Sequence, residues 1–170
     1  MNLTLAAIEG LAAERGMKLR LLTRRWLGAW SLRVVVARPR GETAELLGDL
    51  KGWAVPLPTG LHLDTMRVAG QASQGVGTLI WAATFAWALE ETPCRRARLL
   101  AIRDDARQHR RLVRYFSALG FTPLRELGSQ PVDLGLRLVW GGSGLLMGGD
   151  CSEGLRRCER KLQYWPPQSN

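Results

Sequence analysis

Two groups of residues in this chain have the types and spacing to do chemistry. The first is Leu61-His62-Leu63-Asp64-Thr65-Met66-Arg67-Val68, whose alternation has the two-residue period of a strand and places His62, Asp64, Met66 and Val68 on one face. His62 is an apt general base because imidazole titrates near pH 6.5, and Asp64 can serve the same purpose through a water. The second group is Gln74-Gly75-Val76-Gly77-Thr78, which follows that strand and opens an almost wholly apolar helix, Thr78 to Leu89. A loop passing from a strand into a helix leaves the first helical amides without intrahelical partners, a seat for an anion. Gly75 and Gly77 let a ligand approach the backbone there because no Cβ intervenes.

Two phosphate-binding motifs are excluded. A P-loop ends in Gly-Lys-Ser/Thr, and the segment from Gly70 to Gly77 holds no lysine. A dinucleotide fingerprint needs a third glycine where Ile80 stands, with an acidic residue further on at the tip of a second parallel strand.

The elements that must carry these residues form a regular series. Residues 61–121 read as strand, glycine loop, buried helix ended by Pro93, a strand at 98–102, and an amphipathic helix, Asp105 to Leu119, closed by Gly120. On that last helix His109, Leu112, Val113, Phe116 and Leu119 share a face, and Asp105 with Gln108 reads as a capping box. Upstream, Leu3 to Arg15 reads as an amphipathic helix, and Met17 to Leu22, Trp30 to Ala37 and Ala44 to Val55 as strands, with Gly48 and Gly52 at candidate bulges. Downstream, Phe121 to Leu127 and Val132 to Trp140 read as a closing strand pair, the glycines between 141 and 149 as a linker, and Cys151 to Tyr164 as a basic helix before a tail at 166–170.

The series as a whole resembles the GNAT superfamily of acyl-CoA N-acyltransferases. The resemblance rests on Gly75-Val76-Gly77 opening a helix after a strand, and on Phe116-Ser117-Ala118-Leu119-Gly120-Phe121 ending the second helix, in the family's order and with its gaps. It departs at Ala72, where the family has Gln or Arg, at Asp104-Asp105, where Asn is common, and at Phe116, where many members carry a thiolate-protonating Tyr. It implies a mixed, twisted α/β sheet of six to seven strands with helices on both faces, splayed between strand 61–68 and strand 98–102. It also implies acetyl-CoA as co-substrate, with the backbone of Met66, Arg67 and Val68 against the pantetheine arm, the amides of Gln74, Gly75, Val76, Gly77 and Thr78 on the pyrophosphate, and Phe116 near the thioester. The acid-base residues of the family often lie on the 61–68 strand, hence His62 and Asp64. Tyr115, next to the departed position, becomes the candidate acid. The implied reaction is direct attack by a primary amine on the acyl group in a ternary complex. The departures leave a second reading, a fold member that binds CoA or a protein without turnover. The family commonly sets two helices between its first two strands, whereas here one helix precedes them, so the acceptor is not identified by the resemblance.

Bulk properties are consistent with one domain spanning 1–165. The 170 residues are 46% hydrophobic and 23% charged, ordinary values for a globular protein, with a net charge of +9 that favours anionic partners. Much of this charge is the run Arg95, Arg96, Arg98, Arg103, Arg107, Arg110, Arg111 and Arg114, read chiefly as a solvated face, with one or two positions available to the 3′-phosphate of CoA. Aromatic residues are not interleaved with it as in a stacking platform, so a basic nucleic-acid-binding domain is the less favoured alternative. The apolar run Val76 to Leu89, 14 residues, is short of a membrane span, and the N-terminal stretch lacks the basic start of a signal peptide, so a cytoplasmic protein is expected. Cys94, Cys151 and Cys158 have neither the number nor the spacing for a disulfide framework or a zinc site, and no metal is expected.

Overall fold

A computed structural model describes residues 3–68, 75–103, 105–128, 133–140 and 142–166. The elements run α1 (Leu5–Ala13), β1 (Lys18–Trp26), β2 (Ala29–Arg40), β3 (Thr43–Ala54), β4 (Leu61–Val68), α2 (Val76–Glu91), β5 (Arg96–Ile102), α3 (Ala106–Ala118), β6 (Thr122–Leu127), α4 (Leu134–Trp140), β7 (Gly144–Asp150) and α5 (Cys151–Gln163). The seven strands form one mixed sheet in the order β1-β2-β3-β4-β5-β7-β6. All neighbours are antiparallel except β4 and β5.

Local chemistry accounts for the first half. The Thr4 hydroxyl accepts from the Ala7 amide and caps α1, whose Ile8 and Ala12 are buried. β1 turns into β2 through Leu27 and Gly28, both at positive φ, as a two-residue hairpin loop with right-handed strand twist requires. The three expected strands are present, β1 and β2 longer than their alternation alone marks and β3 shifted by one residue. α2 buries residues around its whole circumference, Trp81 and Phe85 among them, against β2, β3, β4, α1 and α5.

Two of the three register slips in the ladder decide where side chains near β4 point. The pairing of β3 with β4 slips between Lys51 and Gly52: Gly52 faces Leu63, Lys51 faces Thr65, and Asp64 is the extra residue of a bulge. A second slip falls between Val36 and Ala37, opposite Gly48. Both glycines singled out as candidate bulges therefore border one, although the extra residue at Gly52 belongs to the partner strand.

The segment from 132 to 140 corrects the expectation of a strand. Leu134–Trp140 is helix α4, and β6 pairs instead with β7. The glycines after 141 are likewise no linker, since Gly144–Asp150 is a strand inserted between β5 and β6. Glycine is present there for close packing: a Cβ on Gly144 would lie 2.3 Å from the Ala101 carbonyl oxygen, and one on Gly148 would lie 2.8 Å from the Leu124 side chain.

Helices cover both faces of the sheet. α1, α2 and α5 pack together on one, and α4 lays Trp140 on the other. No helix among the described residues is long and apolar enough to cross a membrane.

Candidate active site

β4 and β5 are paired only from Leu61 to Leu63, against Ala97 to Leu99. Beyond that point they separate, and the wedge between them is a cavity of about 540 Å³. Its walls include Asp64, Thr65, Met66 and Val68 from β4, Gly77 from α2, Leu100 from β5, and Tyr115 and Phe116 from α3. Among the described residues the main-chain groups of β4 past Leu63 have no strand partner on the β5 side, which leaves that edge open to a polar, extended ligand.

The head of α2 closes one end. Gly75 stands at its N-cap with φ 84°, a left-handed conformation that favours glycine, and as a glycine it offers the helix no capping side chain of its own. Among the described residues the Val76, Gly77 and Thr78 amides have no hydrogen-bond partner. One side of Gly75 is filled, because a Cβ would come within 2.2 Å of the Trp165 ring. Gly77 is open toward the cavity: its nearest neighbours in the Cβ direction are the Tyr115 hydroxyl at 3.4 Å and the Met66 methyl at 3.5 Å. Gln74 lies outside the described residues; Val76 is buried as the first residue of α2, and Thr78 sits in its first turn.

Tyr115 is brought to the cavity by α3, which starts where the Asp105 carboxylate accepts from the Arg107 and Gln108 amides. This confirms the capping role of Asp105. The Trp81 indole N–H donates to the Tyr115 hydroxyl at 2.9 Å. The phenolic proton is left to be given elsewhere. Partial burial holds the phenol above its ordinary pKa, against the opposing effect of the Trp81 hydrogen bond, so Tyr115 is protonated at neutral pH. Phe116, beside it, packs edge-on to Trp81 and Phe121 while also lining the cavity.

His62 is placed differently from the sequence expectation. Simple alternation put it on one face with Asp64, Met66 and Val68, but the bulge at Asp64 reverses the parity of the strand. His62 shares its face with Thr65 and Arg67, whereas Met66 and Val68 face α2 with Leu61 and Leu63. Its ring is sandwiched between Trp53 at 4.4 Å and Trp140 at 3.5 Å, it is 6% exposed, and it does not line the cavity. Burial lowers its pKa to about 4 against the pull of Asp64, so the imidazole is neutral through the physiological range. Asp64 alone of the two sits in the wedge.

Four contributors went unseen in the sequence. Thr65 and Leu100 carry no chemical signal; Trp81 was legible only as core, although it lies one turn beyond Gly77 on the same helix; nothing near Trp165 links it to Gly75. Arg107, Arg110, Arg111 and Arg114 are exposed, as a solvated helix face should be. All three cysteines are buried, and burial pushes the Cys151 and Cys158 thiols up to about 12, which leaves them protonated.

Among solved structures the fold is similar to that of nourseothricin acetyltransferase, with a TM-score of 0.51 and 16% sequence identity over 86% of this chain and 94% of that one. At that identity the likeness is one of fold. The mixed seven-stranded sheet with its helices is consistent with a GNAT-like architecture. The sequence matches no protein-family model and no curated protein.

Proposed function

We propose that the chain is an N-acyltransferase that moves an acetyl group from acetyl-CoA to a primary amine by direct attack within a ternary complex. The observation that carries this reading is the parting of β4 from β5 around a cavity that has a glycine-headed helix terminus at one end and a phenol at its wall. The fold neighbour, an acetyltransferase by name, supports the same class of chemistry.

In this reading the amides of Val76, Gly77 and Thr78 hold the pyrophosphate, and the free edge of β4 at Met66, Arg67 and Val68 aligns the arm leading to the thioester. Acetyl-CoA supplies the activated acyl carbon. Binding both reactants in one wedge converts a bimolecular encounter into an intramolecular one, the largest contribution this site can make. Asp64 attracts the incoming ammonium and passes its proton to solvent through a water. Tyr115, protonated and oriented by Trp81, donates to the departing sulfur. Phe116 walls the acyl group, and the neutral, sandwiched His62 fixes the backbone next to Asp64 without touching the reactants.

Calorimetric titration with acetyl-CoA, followed by thiol release in the presence of a panel of primary amines, tests this. Binding that is lost in Gly77→Val, with thiol release dependent on an amine, is expected. A folded protein that binds no acetyl-CoA overturns the reading, and binding without release on any amine favours the non-catalytic alternative.

A further inference from the structure

The face of the sheet turned away from α2 continues the cavity wall outward. The register aligns its residues in rows: Leu22, Arg33, Lys51 and Thr65 cross the four strands side by side, flanked by Arg20, Val35, Asp49 and Arg67 on one side and Arg24, Ser31, Trp53 and His62 on the other. Five cations therefore project from one face: Arg20, Arg24, Arg33, Lys51 and Arg67. The carboxylate in these rows, Asp49, is 6% exposed and already engaged by Arg33 at 3.2 Å. The arginines and Lys51 are exposed, and among the described residues no helix but α4, at the His62 end, is laid on these rows. This face meets the reaction wedge without a break, because Thr65, directly across from Lys51, also lines the cavity beside Asp64.

We propose that this face is the acceptor platform, and that the amine acetylated is borne by an acidic polypeptide segment; the inference rests on the acyltransfer reading above. Charge complementarity selects the anionic body, and Asp64 at the rim selects its ammonium. Size selects a polypeptide over a small amine. Four strands at about 4.8 Å spacing and three rows span roughly 14 Å each way, the length of about four extended residues. The aromatic residues argue against bases as the ligand: His62 is covered on both sides, Trp53 has one side on His62, and Trp26, 74% exposed on the same face, stands apart at the hairpin end of β1, so the rings form no continuous stacking platform.

The test compares two sets of synthetic peptides of equal length and identical free amino-terminal residue, one continuing in Asp and Glu, the other in Arg, so that the terminal amine is the one primary amine in each. Acidic peptides are expected to be acetylated with kcat/KM at least about tenfold higher, an advantage that shrinks as ionic strength rises from about 0.05 M to about 0.5 M. The Arg20→Glu/Lys51→Glu double variant is expected to reverse the preference while its calorimetric affinity for acetyl-CoA is unchanged; Lys51→Gln, a milder change, should halve the logarithmic advantage. Equal or better use of the basic peptides overturns the proposal, as does a preference that charge reversal leaves intact. An RNA oligonucleotide that blocks the face with the same arginine dependence, while peptides of either charge react alike, also overturns it. If acetyl-CoA does not bind at all, the underlying reading has failed; fluorescence anisotropy with the same labelled peptides still tests the platform, and salt-sensitive capture of the acidic set lost on charge reversal upholds it.

Discussion

His62 shows how one inserted residue changes a reading. The residue types on β4 were legible, and so were the strand and its neighbour Asp64, but the extra residue at 64 is a property of the pairing with β3 and leaves no mark in the alternation itself. A consequence follows at this scale. The imidazole titrates near 6.5 when unfolded and at about 4 when folded, so the unfolded chain binds the proton first. The stability this residue contributes is complete above pH 6.5 and is lost as pH falls toward 4. Between pH 7 and 4.5 the loss is about 2–3 kcal/mol. Urea unfolding at the two values should show it, and His62→Phe, which fits between two indoles, should lack it. Tyr115→Phe keeps the ring and removes the acid. If the phenol protonates the leaving sulfur, kcat falls by about 10- to 100-fold while KM for acetyl-CoA is nearly unchanged. Wild-type kcat/KM should rise with pH through neutrality, as more acceptor amine is free, without an inflection near 6.5, because His62 is already neutral there.

At the scale of elements, the pattern around the glycine loop was readable because both of its signals are local: apolar residues all round α2, and glycines at its head. The stretch from 132 to 150 was not, although the basic helix after it, expected from Cys151 to Tyr164, is present as α5, Cys151–Gln163. β7 holds three glycines, with Gly141 and Gly142 just before it, and sequence alone cannot tell a glycine that loosens a linker from one that lets a neighbour in. Here Phe121 and Leu124 occupy the space, 3.1 Å and 2.8 Å from where the Cβ atoms of Gly149 and Gly148 would stand. The same device joins α5 to α2, since a Cβ on Gly154 would lie 2.5 Å from the Phe85 ring. Gly154→Ala should therefore cost about 1–3 kcal/mol in chemical denaturation by overpacking. In contrast, Gly135→Ala on α4, where nothing lies within 4 Å, should stabilise by about 0.5–1 kcal/mol through helix propensity alone. If the two substitutions have equal effect, close packing does not explain the glycines.

For the molecule as a whole, the class of fold was legible because helix and strand alternate through the middle of the chain; the open cationic face was not, as its members are scattered over four strands and meet only through register. A ligand that binds the folded state alone raises its stability by mass action, about 2.7 kcal/mol at a hundredfold excess over Kd. Acetyl-CoA should thus raise the melting temperature, and Trp165→Ala should reduce that rise more than it lowers the melting temperature of the free protein. The reason lies in the contact of Trp165 with Gly75 and in the Arg15 guanidinium, which lies 4.3 Å above the indole and donates to its carbonyl. The three residues come from the beginning, middle and end of the described chain. During synthesis, then, the head of α2 waits unsupported until residue 165 has emerged, and nascent protein should acquire the capacity to retain acetyl-CoA late and all at once.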